Sequence, residues 1–439
     1  MVRESIPTGS RRNYLKGIAA GTAAGLAGCL GGDDGASDSI ELYTWNLPFW
    51  EETIEEEIIP TFEDEFGDEY DGLEADWIDR GPATEDIISF FQSRLQGGDP
   101  PSIFDTQFGA YARYAEEDVF ADIEELADDE VLEKYDETAL DLNRYDGTLY
   151  QMPFYMGTNM TACNSEWFDE AGIDPPTFEE PWTTTEYLDA AEQLVQNSGA
   201  EFGLTFIRFD FLLWPWFQAE GIDVLNDDNS EATFNTSATV ELLERFQQLT
   251  SDGVIPEVTW TGEWDPQAEQ FGSGNTGMYF GSGSALRLIQ NFGEDWVGED
   301  TLDIAHAPEG GGLFTFHGLG ITTPGKSETE QQAAFDFTSV ILNKEFQKDF
   351  LRNTTVLVPH TEALTELQND EEFQSNNPLL VQLYEMYDVV SEDLWRPPVI
   401  PQATQVAEII ASEFSSAALG EKDPQAAVDE AESRVNNAL

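Results

Sequence analysis

Ile40-Glu41-Leu42-Tyr43-Thr44-Trp45 and Ser102-Ile103-Phe104-Asp105 bracket the stretch that decides the fold. The first reads as a strand. It is followed by Phe49 to Phe66, where Ile54, Ile58, Ile59, Phe62 and Phe66 recur at helical spacing. Leu73 to Ile78 reads as a second strand, Glu85 to Leu95 as a second helix, and Ser102 to Asp105 as a third strand ahead of a glycine turn. Strand–helix–strand–helix–strand predicts a mainly parallel sheet flanked by helices, the α/β class. Beyond Met152-Pro153-Phe154, a hinge candidate, a second unit of the same kind begins with Met160–Asn164, a helix over 184–197 and a strand over 202–206. Further helices are expected over 237–251, 328–342 and 403–418. A body of about 400 residues exceeds one compact core, so two α/β lobes are expected.

The amino end carries a different message. Ser10-Arg11-Arg12-Asn13-Tyr14-Leu15-Lys16 precedes a small-residue apolar run ending Leu26-Ala27-Gly28-Cys29. Paired arginines ahead of such a run read as a twin-arginine export signal over residues 1–28. The apolar stretch is about half of what spans a bilayer. Cys29 follows a small-residue box of lipoprotein type and would be the lipidated mature terminus; acyl burial contributes roughly 0.8 kcal/mol per CH2. Residues 29–39, ending GGDDGASDS, read as a flexible tether. The expectation is a folded body outside the cell, tied to the membrane.

Charge bounds the partners. The chain has 19 Lys+Arg against 87 Asp+Glu, a net charge of −68, and loss of residues 1–28 takes it to −71. A 40% hydrophobic and 12% aromatic content argues against an acidic disordered chain. Self-repulsion at this charge favours expansion in dilute salt, whereas at about 1 M the Debye length shrinks to roughly 3 Å. The acid excess therefore reads as adaptation to high salt, of the halophilic archaeal kind. Melting in molar and millimolar salt checks this: stability should be lost in the latter. Nucleic acid is excluded as a partner.

Catalytic patterns fail one by one. His306, His317 and His360 stand far apart, and no His-Glu-x-x-His, Gly-x-Ser-x-Gly or P-loop occurs. Gly272-Ser273-Gly274-Asn275-Thr276-Gly277 spells a dinucleotide fingerprint with the order of helix and strand reversed. Asp227 to Glu231 resembles a calcium loop, but Ala232 and Ala238 occupy the positions that need glycine and glutamate. With Cys29 assigned, Cys163 has no intramolecular partner and reads as packed core. No cofactor and no metal are expected. What stands out is aromatic content at breaks between elements: Trp45, Trp50, Trp214-Pro215-Trp216-Phe217, Trp260, Trp264 and Trp395. Flat aromatic faces suit the C–H faces of sugar rings, and ligands of open α/β sheets sit beyond the carboxyl ends of strands.

Several stretches, in order, carry a family resemblance. They are Pro100-Pro101-Ser102-Ile103-Phe104-Asp105 with Phe108-Gly109-Ala110-Tyr111; Asp146-Gly147-Thr148-Leu149-Tyr150-Gln151-Met152-Pro153; Asn164-Ser165-Glu166-Trp167-Phe168 with Ala171-Gly172-Ile173-Asp174-Pro175-Pro176; Phe271-Gly272 through Gly281-Ser282-Gly283; and Gly318-Leu319-Gly320-Ile321. The chain resembles the extracellular solute-binding proteins of ABC importers, the family that includes maltose-binding protein. Phe178-Glu179-Glu180-Pro181-Trp182 departs from the family's run by delaying the tryptophan. The resemblance implies a two-lobed periplasmic-binding-protein-like fold joined by crossing hinge strands, with residues 40–153 and 310–358 in one lobe and 154–309 and 359–439 in the other.

It further implies a carbohydrate held in an interlobe cleft by Trp45, Asn46, Asp105, Gln107, Tyr155, Trp214, Trp216, Trp264, Gly281, Ser282, His317 and Arg396. The partners implied are a small-molecule sugar, the transmembrane subunits of an ABC permease, and the membrane through Cys29, with the protein a monomer. The reading from a different class is a secreted, membrane-tethered polysaccharide-degrading hydrolase, separable by product release. Trp45→Ala or Trp214→Ala is expected to weaken binding by more than about 1 kcal/mol.

Overall fold

The computed structural model describes residues 39–44, 50–70, 73–79, 84–178, 180–208, 210–262, 265–293, 295–354, 356–390 and 394–439. The export signal, the tether and Cys29 lie outside these residues.

Three strands form the first half of the sheet: β1 (Ser39–Thr44), β2 (Glu74–Asp79) and β3 (Ile103–Gln107). β1 pairs in parallel with β2 along its whole length and with β3 through Leu42–Ile103 and Tyr43–Phe104. The helices Trp50–Phe66 and Thr84–Gly97 connect them, as the periodicity predicts. Within the first, Ile54, Ile58 and Phe62 are buried, and the turn Ile54–Ile58 widens to π geometry. Pro60 explains this: its ring collides with the carbonyl four residues back and it donates no N–H, so the preceding turn opens to make room.

A short hairpin, β4 (Arg144–Tyr145) and β5 (Thr148–Leu149), turns at Asp146-Gly147. Both turn residues have positive φ, 53° and 90°, which matches the right-handed twist of the flanking strands. The chain then enters β6 (Met152–Asn164), thirteen residues long.

β6 joins the two halves. Its residues 152–158 pair antiparallel with β10 (Phe314–Ile321), which pairs antiparallel with β3. From Asn159 onward β6 pairs instead with β8 (Thr276–Ser282) and, on its other edge, β9 (Leu302–Ala305); β7 (Phe202–Phe206) runs parallel to β8. The order is β2-β1-β3-β10-β6-β8-β7, a mixed sheet whose parallel members lie toward its two ends. A second crossing runs from β9 to β10. The buried Asn159 fastens it where β6 changes partners: its Nδ2 donates to Gly311 O (3.1 Å) and its Oδ1 accepts from Leu313 N (2.8 Å).

The hinge candidate Met152-Pro153-Phe154 opens the crossing strand β6, and Pro153 sits inside it. It is tolerated because the ladder slips between His317 and Gly318, so that Phe154 becomes the extra residue of a bulge. Helices Thr184–Asn197 and Glu328–Ile341 each start at a capping box, Thr183 with Glu186 and Ser327 with Glu330. Helices Ser237–Ser251 and Ala403–Ala418 fill the spans read from their periodicity. The segment after β10 returns to the first half, where Thr361 N donates to Lys134 O and Asp136 N to Pro359 O.

Candidate functional site

Four neighbouring strands carry one polar row. Thr44 ends β1, and its Oγ1 donates to Asp105 Oδ2 on β3 (2.9 Å). Asp105 Oδ1 accepts from His317 Nδ1 on β10 (2.9 Å). The register accounts for this pair: His317 stands opposite Gln107, so Asp105 is its diagonal neighbour on the same face, within reach of a long side chain. On the other side His317 lies opposite Tyr155 of β6, and the rings stack at 4.2 Å and 21°. Tyr155 in turn stacks on Phe350 at 5.8 Å. The bulge at Phe154 re-aims Tyr155 onto the imidazole. Asp105 is 1% exposed and His317 7%. A buried carboxyl group with two hydrogen-bonded neighbours is held in one orientation.

An aromatic run starts where the row stops. Phe108 follows Gln107 with φ of 50°, donates its N–H to Phe316 O (3.0 Å), and packs on Phe211 at 5.3 Å. A bulky residue in the left-handed region carries strain that the surroundings must hold. Phe211, beyond the carboxyl end of β7, meets Trp214 at 4.9 Å, and Trp214 meets Trp395 at 5.4 Å. Trp395 is stitched to the second crossing: its N–H donates to Gly312 O (2.7 Å) and its carbonyl accepts from Phe314 N (2.9 Å). Gly109 lies so close to this segment that a Cβ would fall 2.6 Å from Pro398 O. Row and run thus meet at adjacent residues, 107 with 108 and 316 with 317, and both halves of the sheet contribute.

The residues anticipated from sequence divide accordingly. Asp105, Gln107, Tyr155 and His317 come together at the row. Trp214 belongs to the run, but is fully buried, and its indole N–H has no hydrogen-bond partner among the described residues. Trp216 is a correction: two residues on, it is sealed among Tyr187, Phe206, Phe246 and Phe280 at 5.0–5.5 Å, the core of the second half. Gly281 and Ser282 end β8, paired with Met160 and Asn159; Ser282 Oγ caps its own turn by accepting from Ser284 N (3.3 Å). The helix that follows, Leu286–Phe292, is a single short one. Arg396 is exposed beside Trp395. Trp45, Asn46 and Trp264 lie outside the described residues. Thr44, Phe108 and Phe211 join this candidate site without any motif to mark them. Their signal was position, each lying at or just past the carboxyl end of a strand.

The remaining chemistry-bearing groups are structural. Cys163 is buried on β6, and burial pushes its thiol well above the ordinary value, away from nucleophile chemistry. Gly272–Gly277 links the helix Asp265–Gly272 to β8. Residues 226–231 form a tight turn, Asn226 Oδ1 accepting from Ser230 N (2.8 Å). Among the described residues, no group of three or more His, Cys, Asp or Glu is placed to hold a metal ion, and no helix is long and apolar enough to cross a membrane.

Comparison with known proteins agrees with this architecture. Over 144 residues the chain is 31% identical to an arabinooligosaccharide-binding protein of Halalkalibacterium halodurans, covering 32% of this chain and 30% of that protein. Over 309 residues it is 25% identical to a periplasmic sn-glycerol-3-phosphate-binding protein of Yersinia pseudotuberculosis, covering 64% and 65%. The aligned part of this chain thus spans less than two thirds of either relative's length. An ABC substrate-binding protein of Listeria monocytogenes, solved in complex with cycloalternan, shares the fold: TM-score 0.73, 22% identity, 91% of this chain and 98% of the other covered. The family model described as bacterial extracellular solute-binding protein matches residues 64–379, most of the chain. With that match and the two α/β halves sharing β6, the chain belongs to the bacterial extracellular solute-binding proteins, a family of binders and not of enzymes.

Proposed function

We propose that this protein captures a carbohydrate, a mono- or oligosaccharide, between its two lobes and delivers it unaltered to the transmembrane subunits of an ABC importer. The meeting of polar row and aromatic run at residues 107–108 and 316–317 carries the reading. A sugar presents hydroxyls at its rim and C–H groups on its faces, and this junction offers one kind of surface to each. Contacts from both halves favour a closed state once solute is present. Tyr155, Gln107 and His317 supply polar contacts, Phe211, Trp214 and Trp395 the apolar wall, and Arg396 the rim. Trp45, Asn46, Trp264, Gly281 and Ser282 complete the proposed lining. The lobes divide near residues 153 and 310. Export by the twin-arginine signal, anchoring through lipid on Cys29, a monomeric body and a high-salt habitat of the halophilic archaeal kind belong to the same proposal.

The runner-up solute is glycerol 3-phosphate, favoured by the Yersinia relative and by Arg396. The scarcity of cationic side chains, 19 Lys+Arg against 87 Asp+Glu, argues against a strongly cationic pocket for it. Thermal shift and titration calorimetry in molar salt, with arabinotriose, maltotriose and sn-glycerol 3-phosphate, test the choice. Saturable one-to-one heat from a trisaccharide is expected. Heat from the phosphate alone, or from none of the three, overturns the carbohydrate reading.

A further inference from the structure

Arg287 joins two helices that belong to different halves. It lies in the helix Leu286–Phe292, which packs on the helix Asp265–Gly272 of the second half: a Cβ at Gly272 would fall 2.5 Å from Phe292 Cβ. Its Nη2 donates to Arg352 O (3.0 Å), near the carboxyl end of the helix Lys344–Thr354. That helix packs on the first half, where Phe350 meets Trp50, from the helix after β1, at 5.0 Å. Both helices connect to β6 close to where it changes partners. Past the one, Leu357 O accepts from Met156 N (2.9 Å); ahead of the other, a Cβ at Gly283 would lie 3.3 Å from Thr158 O.

A carbonyl is an unusual partner for an arginine of this chain. Arg94, Arg113, Arg144, Arg245 and Arg434 each pair with a carboxylate. Half-buried Arg287 has none within ion-pair distance among the described residues, and its Nε is buried without a partner there. The last carbonyls of a helix have no partner within it, and that end of the helix dipole favours a cation. A carbonyl attracts far less at range than a carboxylate does, so this bond acts only at contact. Burial works against it, lowering the proton affinity of the guanidinium. Separation returns donor and acceptor to water. Opposed terms of this kind suit a link that can open.

We propose that Arg287 is a latch between the two halves: its hydrogen bond to the carboxyl end of the helix Lys344–Thr354 holds them in the arrangement of this structure, and its release lets them separate about the crossing strands. The latch does not depend on which solute is captured.

Small-angle X-ray scattering of the full chain in molar salt, without solute, reads the separation of the halves. Arg287→Met keeps an apolar stem and removes every donor. It should raise the radius of gyration while the chain still melts cooperatively. Arg287→Lys keeps a charged donor on a long stem and should fall between Arg287→Met and the unsubstituted chain. Arg287→Gln, polar but too short to span the contact, should match Arg287→Met and replaces it if the apolar variant misfolds. Unchanged scattering from either neutral variant in its cooperatively melting form overturns the proposal. So does an equal rise in Arg287→Lys, which would trace the effect to packing around the stem. Loss of cooperative melting in both neutral variants also overturns it, since Arg287 would then be a folding residue.

Discussion

Trp214 and Trp216 stand two residues apart on one short helix, and both are fully closed to solvent, yet they belong to different parts of the molecule. Trp216 is ringed by Tyr187, Phe206, Phe246 and Phe280, all from elements of the second half. Trp214 points the other way, to Phe211 and Trp395, and through Phe211 to Phe108 at the end of β3. A position offset of two on a helix turns a side chain by about 200°, so neighbours in sequence serve opposite faces. One ring holds a half together; the other lies where the two halves touch. Composition treats them as equal, and only packing separates them.

The largest expected effect tests the first ring. Trp216→Ala should cost about 3–5 kcal/mol of stability, the range for truncating a large buried aromatic. Denaturant unfolding in molar salt measures it. A loss below about 1 kcal/mol would show that the ring is not core, and the distinction from Trp214 would collapse.

A second, somewhat smaller effect comes from acid and falls on the Trp395 side. Burial lowers His306 from 6.5 to about 4, and its Nε2 has no hydrogen-bond partner among the described residues. The ring packs against Gly312, whose carbonyl accepts from Trp395 N: a Cβ at Gly312 would lie 2.7 Å from its Cε1 and 2.8 Å from Leu394. Because the folded value is the lower one, the unfolded chain takes up the proton first as pH falls. The contribution is therefore intact above about pH 6.5 and lost progressively toward pH 4, on the order of 3 kcal/mol in full. His306→Phe should flatten that part of the stability profile. An unchanged acid limb would place the titrating group elsewhere.

How much of this was legible in the sequence follows from the same physics. Periodicity found the long helices at 184–197, 237–251 and 403–418 because each buries a single apolar stripe. It found β1, β2 and β3 because strands flanked by helices read as short apolar runs. It gives no sign of the bulge that accommodates Pro153 inside β6, because that bulge depends on β10, more than 150 residues away. Of the candidate site, the polar row was legible. Asp105, Gln107, Tyr155 and His317 are polar residues at or near strand ends or crossings, and stood out as such. The same reasoning put Trp216 in the site, because nothing in a single sequence says which face of a helix looks at which half.

The smallest effect is the one that separates fold from function. Trp395 is partly exposed, stitched to the second crossing by its backbone, and touches Trp214 with its ring. Trp395→Ala keeps both backbone hydrogen bonds and removes only the ring, so its stability cost should fall well below that of Trp216→Ala. Its cost in trisaccharide affinity should exceed about 1 kcal/mol, the usual threshold for an aromatic anchor. Trp214→Ala should lower both quantities, since that ring is buried and belongs to the proposed apolar wall. If instead Trp395→Ala binds as tightly as the unsubstituted chain, the run from Phe108 to Trp395 is only an apolar seam between the halves. The carbohydrate would then have to be held by the polar row and by residues nearer Thr44.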